Sequence, residues 1–156
     1  PKYHELLENV AKKYPGNIAV FLKFDEGLAH RIEGGADMFL MPSRYEPCGL
    51  NQLYSLKYGT VPVVSKTGGL ADTIVDYSDK TLKSGKATGF CFERGNREEM
   101  VSAIKTAVHI YREKPQKWQK LQEIGMSQDW SWKRSAGEYV KVYEKAHKKA
   151  KQQVAV

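Results

Sequence analysis

Apolar and polar positions along the chain follow two patterns, one typical of buried strands and the other of amphipathic helices. Short apolar runs predict strands at 18–22, 37–41, 61–65 and 89–92. Helical spacing of apolar residues predicts helices at 3–13, 28–33, 51–58, 71–76, 97–111, 115–126 and 132–149. Because strands and helices alternate through about residue 95, the pattern predicts an α/β fold with a parallel, doubly wound sheet, followed by C-terminal helices.

Capping and turn residues set the boundaries of several predicted elements. Asn96, with Glu99 three residues later, is expected to cap the first of the last three helices, and Ser131 the third. A glycine pair at 34–35 is expected to end the second helix, and the polar segment 77–86 to form a loop.

The segment 42–54, with the sequence PSRYEPCGLNQLY, joins a predicted strand to a predicted helix. Ligands of open parallel sheets bind there, at the carboxyl ends of the strands. The amides of Gly49, Leu50 and Asn51 would face such a ligand, and the helix dipole favours an anion. The segment therefore predicts a phosphate cradle, with the Glu46 carboxylate about one side chain away.

Size and composition indicate a globular chain of about one domain. The 156 residues are 41 % hydrophobic and 28 % charged, which is ordinary for such a protein. No apolar stretch approaches the ~20 residues that span a membrane, and no signal peptide is recognisable. The chain opens without methionine, directly in an amphipathic pattern, and we expect it to be a piece of a longer protein.

Two cysteines, Cys48 and Cys91, give neither a disulfide framework nor a metal-ligand spacing. We therefore expect no metal and a reducing compartment, the cytoplasm, or the plastid if the source is a plant or alga. The net charge of +7 suits an anionic ligand. Much of it lies near the end, at Lys141, Lys145, Lys148, Lys149 and Lys151. These lysines are typical of a solvated helix face, and no motif indicates nucleic-acid binding.

Six short motifs, read in order, carry a family resemblance. They are Gly34-Gly-Ala-Asp37, Ser43-Arg44, Glu46-Pro-Cys-Gly-Leu50, Tyr58-Gly-Thr60, Thr67-Gly-Gly-Leu-Ala-Asp-Thr73 and Asp129-Trp-Ser-Trp132. Over nearly its whole length the chain resembles the C-terminal domain of bacterial glycogen synthases and of starch synthases. The resemblance implies that residues 1–156 form a partial, Rossmann-like nucleotide-sugar-binding domain of a GT-B glycosyltransferase, incomplete at its N-terminal edge, with a terminal helix at 132–149.

The resemblance also implies an activity. Family members transfer glucose from ADP-glucose, in some cases UDP-glucose, to the non-reducing end of an α-1,4-glucan with retention of anomeric configuration. They use no further cofactor. The active site lies in the cleft between this domain and an N-terminal GT-B domain, which would be this chain's partner.

Five residues of the cradle segment match functional positions of the family. Glu46 matches the essential glutamate beside the donor sugar, where a carboxylate suits an oxocarbenium-like transition state. Gly49, Leu50 and Asn51 match the backbone cradle of the diphosphate, and Cys48 a cysteine near the donor. The alternatives are a helix-start role for Glu46, in which its carboxylate binds orphan amides, and a packing role for Cys48.

The remaining candidates have an equally ordinary explanation. Phe24 matches the aromatic position that stacks on adenine, and the alternative is a core phenylalanine. Lys66, Thr67, Gly68 and Gly69 could line the cleft near donor or acceptor, or could form a tight turn that needs glycine.

The family positions an arginine and a lysine opposite the diphosphate, and both would precede this chain. We therefore expect the isolated chain to be inactive. Other functions remain open: another GT-B transferase, a stand-alone nucleotide- or glucan-binding module without catalysis, and binding of a polyanion by the C-terminal lysines. Trp118, Trp130 and Trp132 are expected to anchor helices in the core rather than to stack on sugars.

Overall fold

The computed structural model describes residues 2–154, which divide into two compact units at the bond between Arg31 and Ile32. Among these residues, no helix is both long enough and apolar enough to cross a membrane.

The first unit contains α1 (Lys2–Lys13), an irregular segment and the start of α2 (Glu26–Gly35). The prediction of a strand at 18–22 is wrong for this structure, since these residues have no regular secondary structure and Ile18 and Leu22 are exposed. A strand needs a neighbour that supplies ladder hydrogen bonds and covers its apolar side chains. Nothing in the described part of the chain pairs with this segment.

The second unit carries the sheet and most of the helices. Its elements after α2 are β1 (Met38–Met41), α3 (Asn51–Tyr58), β2 (Val61–Lys66), α4 (Gly68–Thr73), α5 (Asp79–Lys83), β3 (Phe90–Glu93), α6 (Arg97–Glu113), α7 (Pro115–Ser127) and α8 (Trp132–Val154).

The three strands form one parallel sheet in the order β1-β2-β3. Its register pairs Met41 with Val64, and Lys66 with Glu93, at the carboxyl ends of the strands. These ends therefore lie along one edge of the sheet, which is the edge where ligands of such sheets bind. The predicted α/β architecture, a parallel sheet flanked by helices, is confirmed.

Both faces of the central strand are covered, as its continuous apolar run predicts. Val61 and Val63 pack in a buried cluster with α6 and α7, which contribute Ile110 and Leu121 among others. Val64, on the opposite face, packs in a second cluster with α3 and α4. The strand is thus held rigidly, and the loops at its carboxyl end start from a fixed frame.

Local capping explains where the helices differ from prediction. The expected loop at 77–86 contains α5, because Ser78 and Thr81 form a reciprocal capping box. The Ser78 hydroxyl accepts from the Thr81 N–H at 3.1 Å, and the Thr81 hydroxyl from the Ser78 N–H at 2.8 Å. The predicted Asn96 cap is confirmed, since its side-chain oxygen accepts from the Glu99 N–H at 3.0 Å. The glycine pair at 34–35 lies inside α2 rather than after it.

The tryptophans divide between core and surface. Trp118 is 4 % exposed and packs against Phe90 and Tyr111, which confirms it as a core anchor. Trp132, at the start of α8, is 82 % exposed, so the prediction that it anchors in the core is wrong. Trp130 is partly exposed and lies beneath the Arg134 guanidinium, with its ring centroid 5.3 Å from the guanidinium carbon.

Candidate functional site

A loop at 42–50, hereafter the β1–α3 loop, leaves the carboxyl end of β1 and leads into α3. Two backbone carbonyls of this loop accept hydrogen bonds, one from the end of β2 and one from the start of the next helix, α4. The Ser65 hydroxyl donates to the Ser43 carbonyl at 2.5 Å, and the Gly69 N–H donates to the Glu46 carbonyl at 2.9 Å. The loop is therefore held close against β2 and the start of α4.

Gly68 and Gly69 make this close approach feasible. A Cβ on Gly68 would overlap the carbonyl oxygen of Glu46, and one on Gly69 would overlap that of Cys48. Gly68 also has a positive φ of 43°, which side chains rarely allow. The sequence left two roles open for this glycine pair, lining the cleft or forming a tight turn that needs glycine, and the close backbone contacts agree with the second. The pair lies directly against the backbone of Glu46 and Cys48.

The Glu46 side chain is partly buried and makes a local contact. One of its carboxylate oxygens, Oε2, accepts a hydrogen bond from the Ser43 hydroxyl at 3.2 Å. The helix α3 begins with Leu50 as its N-cap and receives no side-chain cap. The hydrogen bond of Glu46 is to the Ser43 hydroxyl and not to an amide at the start of α3, so it does not match the alternative in which Glu46 binds orphan amides.

The start of α3 presents backbone donors. N–H groups in the first turn of a helix have no intrahelical acceptor and carry the positive end of the helix dipole. Gly49 has a φ of +69° and Leu50 a φ of −120°. Gly49 thus has a left-handed backbone directly before the helix start. The role of Gly49, Leu50 and Asn51 as a phosphate cradle stays a prediction.

Gln52 and Thr73 are the two residues of this region that the sequence interpretation missed. Gln52 has no exposed surface, and its side-chain Nε2 lies 3.2 Å from the carbonyl oxygens of both Cys48 and Gly49. It also donates to the Thr73 hydroxyl at 3.3 Å, which in turn donates to the Gly69 carbonyl at 2.5 Å. The sequence signal that could have found Gln52 is its position as a polar residue on the buried face of the predicted helix at 51–58.

Lys66 and Thr67 lie at the carboxyl end of β2 and the start of α4. The Lys66 ammonium forms an exposed ion pair with Glu93 at 2.9 Å. The hydrogen bond to the Glu93 carboxylate raises the pKa of Lys66, so the ammonium stays charged at neutral pH. Thr67 is the N-cap position of α4 but gives no side-chain cap. Lys66 thus lies at the edge formed by the carboxyl ends of the strands, and its positive charge is paired with the Glu93 carboxylate.

Phe24 belongs to the first unit, within the irregular segment before α2, and is 95 % exposed. The alternative of a core phenylalanine does not fit this exposure. Its ring faces are open to a stacking partner.

The described residues contain no group of three or more histidine, cysteine, aspartate or glutamate side chains placed to hold a metal ion.

The two free cysteines have contrasting environments. Cys48 is exposed on the β1–α3 loop, whereas Cys91 is largely enclosed within β3. Burial raises the pKa of the Cys91 thiol to about 12, and the nearby Asp76 carboxylate adds to this effect. At pH 8 Cys91 is therefore nearly all thiol. Because the thiolate is the reactive form, we expect this thiol to react slowly.

We expect iodoacetamide at pH 8 to alkylate Cys48 at least about tenfold faster than Cys91, because the Cys48 thiol is exposed whereas the Cys91 thiol is partly buried and protonated. Peptide mass spectrometry over a time course measures both rates in the same sample. Raising the pH from 8 to 9 should leave Cys91 unreactive, since its pKa lies well above this range. Equal rates at the two thiols would contradict the described burial of Cys91.

The family is shown by comparison with known proteins. The model of the glycosyl transferases, group 1, matches residues 2–123. The chain is similar to the glycogen synthase of Koribacter versatilis, with 51 % identity over 144 residues that make up 92 % of this chain and 29 % of the relative. It is also similar to the glycogen synthase of Nitrosospira multiformis, with 53 % identity over 137 residues, or 88 % of this chain and 27 % of that protein.

A solved structure agrees with these sequence relatives. The fold matches the catalytic domain of starch synthase IV from Arabidopsis thaliana, bound to ADP and acarbose, with a TM-score of 0.82 and 34 % identity. The match covers 93 % of this chain and 30 % of that chain, so the chain spans less than a third of the proteins it resembles. The resemblance to glycogen and starch synthases is confirmed, and the chain belongs to the group 1 glycosyl transferases.

Proposed function

We propose that this chain is the donor-binding part of a retaining glucosyltransferase that elongates an α-1,4-glucan. The donor is ADP-glucose, with UDP-glucose as the alternative. The observation that carries the proposal is the β1–α3 loop, in which Glu46 accepts a hydrogen bond from Ser43 and precedes the start of α3 at Leu50. Support also comes from the similar starch synthase, which was solved with ADP and acarbose.

The cradle residues bind and stabilise the leaving group. The N–H groups of Gly49, Leu50 and Asn51 donate to the diphosphate, which gains charge as the bond to the anomeric carbon breaks. The electron pair of that bond remains on the phosphate oxygen. An acceptor hydroxyl of the glucan then forms the new bond to the anomeric carbon and passes its proton to that phosphate oxygen.

Glu46 acts on the sugar rather than on the phosphate. Because the transition state is oxocarbenium-like, a carboxylate near the ring stabilises its developing positive charge and binds its hydroxyls. The Ser43 hydroxyl donates to one carboxylate oxygen and orients the group, which leaves the other oxygen for the sugar. Cys48 and the glycine pair at 68–69 shape the wall behind this carboxylate.

The partner is the remainder of the enzyme, including an N-terminal GT-B domain. Two observations support it: the chain spans less than a third of its relatives, and the N-terminal half of α8 exposes apolar side chains. These exposed side chains are Trp132, Tyr139, Val140, Val142 and Tyr143. Without the partner domain and its part of the cleft, the isolated chain is inactive toward glucan. The two free cysteines agree with a cytoplasmic location.

The test is an amide NMR titration of this chain with ADP and, separately, with UDP. We expect saturable shifts at Gly49, Leu50 and Asn51 with both nucleotides. As a second readout, ADP should slow alkylation of Cys48, measured against the same sample without nucleotide.

Three outcomes would change the proposal. Shifts confined to the lysines of α8 would favour polyanion binding. Saturable shifts with maltoheptaose but not with nucleotide would favour a glucan-binding module. Glucan elongation by the isolated chain would contradict the need for a partner domain.

A further inference from the structure

Gln52 is a polar side chain that is completely buried in the second unit, and neither helix formation nor core packing requires a polar residue there. It occupies the first turn of α3 with no exposed surface, where an apolar residue would bury more favourably. Its Oε1 has no hydrogen-bond partner among the described residues. An orphaned, buried amide oxygen costs free energy, and such a group needs an explanation.

The Gln52 amide nitrogen is used for the β1–α3 loop. Nε2 lies 3.2 Å from the carbonyl oxygens of Cys48 and Gly49, so one side chain contacts two consecutive peptide units. The side chain also packs directly on Gly49, where a Cβ would come within 2.5 Å of Oε1. Thr73 supports Gln52 from the other side and is itself bonded to the Gly69 carbonyl.

The contacts of Gln52 with two carbonyl groups also fix the direction of the N–H groups in the same peptide units. In a trans unit the C=O and the N–H point in opposite directions, and the described chain contains no cis bond. The Cys48 carbonyl shares its unit with the Gly49 N–H, and the Gly49 carbonyl shares its unit with the Leu50 N–H. Because both carbonyls point toward the Gln52 side chain, the N–H groups of Gly49 and Leu50 point away from it.

We propose that Gln52 is a positioning residue for the donor diphosphate: its buried amide fixes the two peptide units whose N–H groups bind the phosphates. The inference rests on the proposed function, since it names the residue that shapes the same cradle. Gln52 does not touch the nucleotide. A glutamate of the same shape could not donate when ionised and would repel both carbonyls, and a methionine would offer no donor.

The experiment compares Gln52→Met with Ser55→Ala in this chain. Ser55 is the matched control, because it lies on the same helix, is equally buried, and has a hydroxyl without a partner among the described residues. ADP and adenosine affinities are measured by NMR titration for both variants. We expect Gln52→Met to weaken ADP binding about tenfold or more and to leave adenosine binding unchanged, since only the phosphates use the reoriented donors.

The comparison of ADP with adenosine distinguishes a positioning role from general destabilisation, because destabilisation would weaken the binding of both ligands. In the ligand-free protein, Gln52→Met should also move the amide resonances of Gly49 and Leu50, whereas Ser55→Ala should not. If Gln52→Met does not fold, Gln52→Asn keeps the neutral amide but shortens its reach by one methylene, and the same split is expected.

Each result has one consequence. Unchanged ADP affinity in a folded Gln52 variant, or unchanged ligand-free resonances of Gly49 and Leu50, overturns the positioning role and leaves the proposed function standing. A wild-type chain that is silent toward ADP at millimolar concentration instead contradicts the nucleotide site itself.

Discussion

Gly69→Ala is expected to lower the free energy of unfolding of the second unit by about 3 kcal/mol, the upper end of the usual cost of steric overpacking. The added Cβ would overlap the Cys48 carbonyl oxygen, and the opposing atom is backbone, which cannot rotate away as a flexible side chain could. The β1–α3 loop would have to move outward and would lose the 2.9 Å hydrogen bond from the Gly69 N–H to the Glu46 carbonyl. Urea denaturation followed by circular dichroism measures the loss.

Gly137→Ala is the matched control for this substitution. Gly137 lies in the exposed helix α8, and a Cβ there would meet nothing within 4 Å. Alanine favours a helix over glycine, so this variant should be more stable by about 0.5–1 kcal/mol. A Gly69→Ala variant as stable as the wild type would show that the loop does not approach α4 as closely as described.

Much of the second unit could be predicted from the sequence because its strands are short, apolar and bounded by clear turn residues. The helix at 51–58 has the predicted bounds, with Gly59 in a left-handed conformation as its C-cap. The strands at 61–65 and 89–92 differ from the observed β2 and β3 by only a residue at their ends. In these segments local pattern and tertiary packing favour the same structure.

Elements that depend on a distant partner could not be predicted. The run at 18–22 has the composition of a buried strand, but composition does not supply the neighbouring strand that would bond it. Trp132 has the chemistry of a core anchor, yet it lies on the exposed start of α8. Both errors arise because apolar character indicates that a surface should be covered and not which segment covers it.

The candidate site shows the same division. The position of Glu46 and the cradle at 49–51 followed from their place between a strand and a helix. The contact of Gly69 with Cys48 and the bond from Gln52 to Thr73 each cross 21 residues of sequence, so only the folded chain brings them together. The candidate residues could thus be located from the sequence, whereas the residues that hold them in place could not.

Glu46→Gln, introduced into the complete transferase that contains this chain, is expected to lower kcat by about 10²–10³-fold while changing the affinity for ADP little. Glutamine keeps the shape and the contact with the Ser43 hydroxyl but removes the negative charge. Because that charge acts on the sugar as positive charge develops, its loss affects the transition state more than the bound nucleotide. Steady-state kinetics with ADP-glucose and a glucan primer, together with ADP titration, separate the two effects.

Glu93→Gln provides the matched control, since it removes a carboxylate from the same edge of the sheet. Glu93 is exposed and paired with Lys66, and such surface pairs contribute only about 0–1 kcal/mol to stability. We therefore expect kcat to change less than about threefold, because this carboxylate neutralises a lysine and does not face the sugar. If both substitutions lowered kcat equally, the effect would reflect the net charge of the sheet edge, and Glu46 would have no specific role at the anomeric carbon.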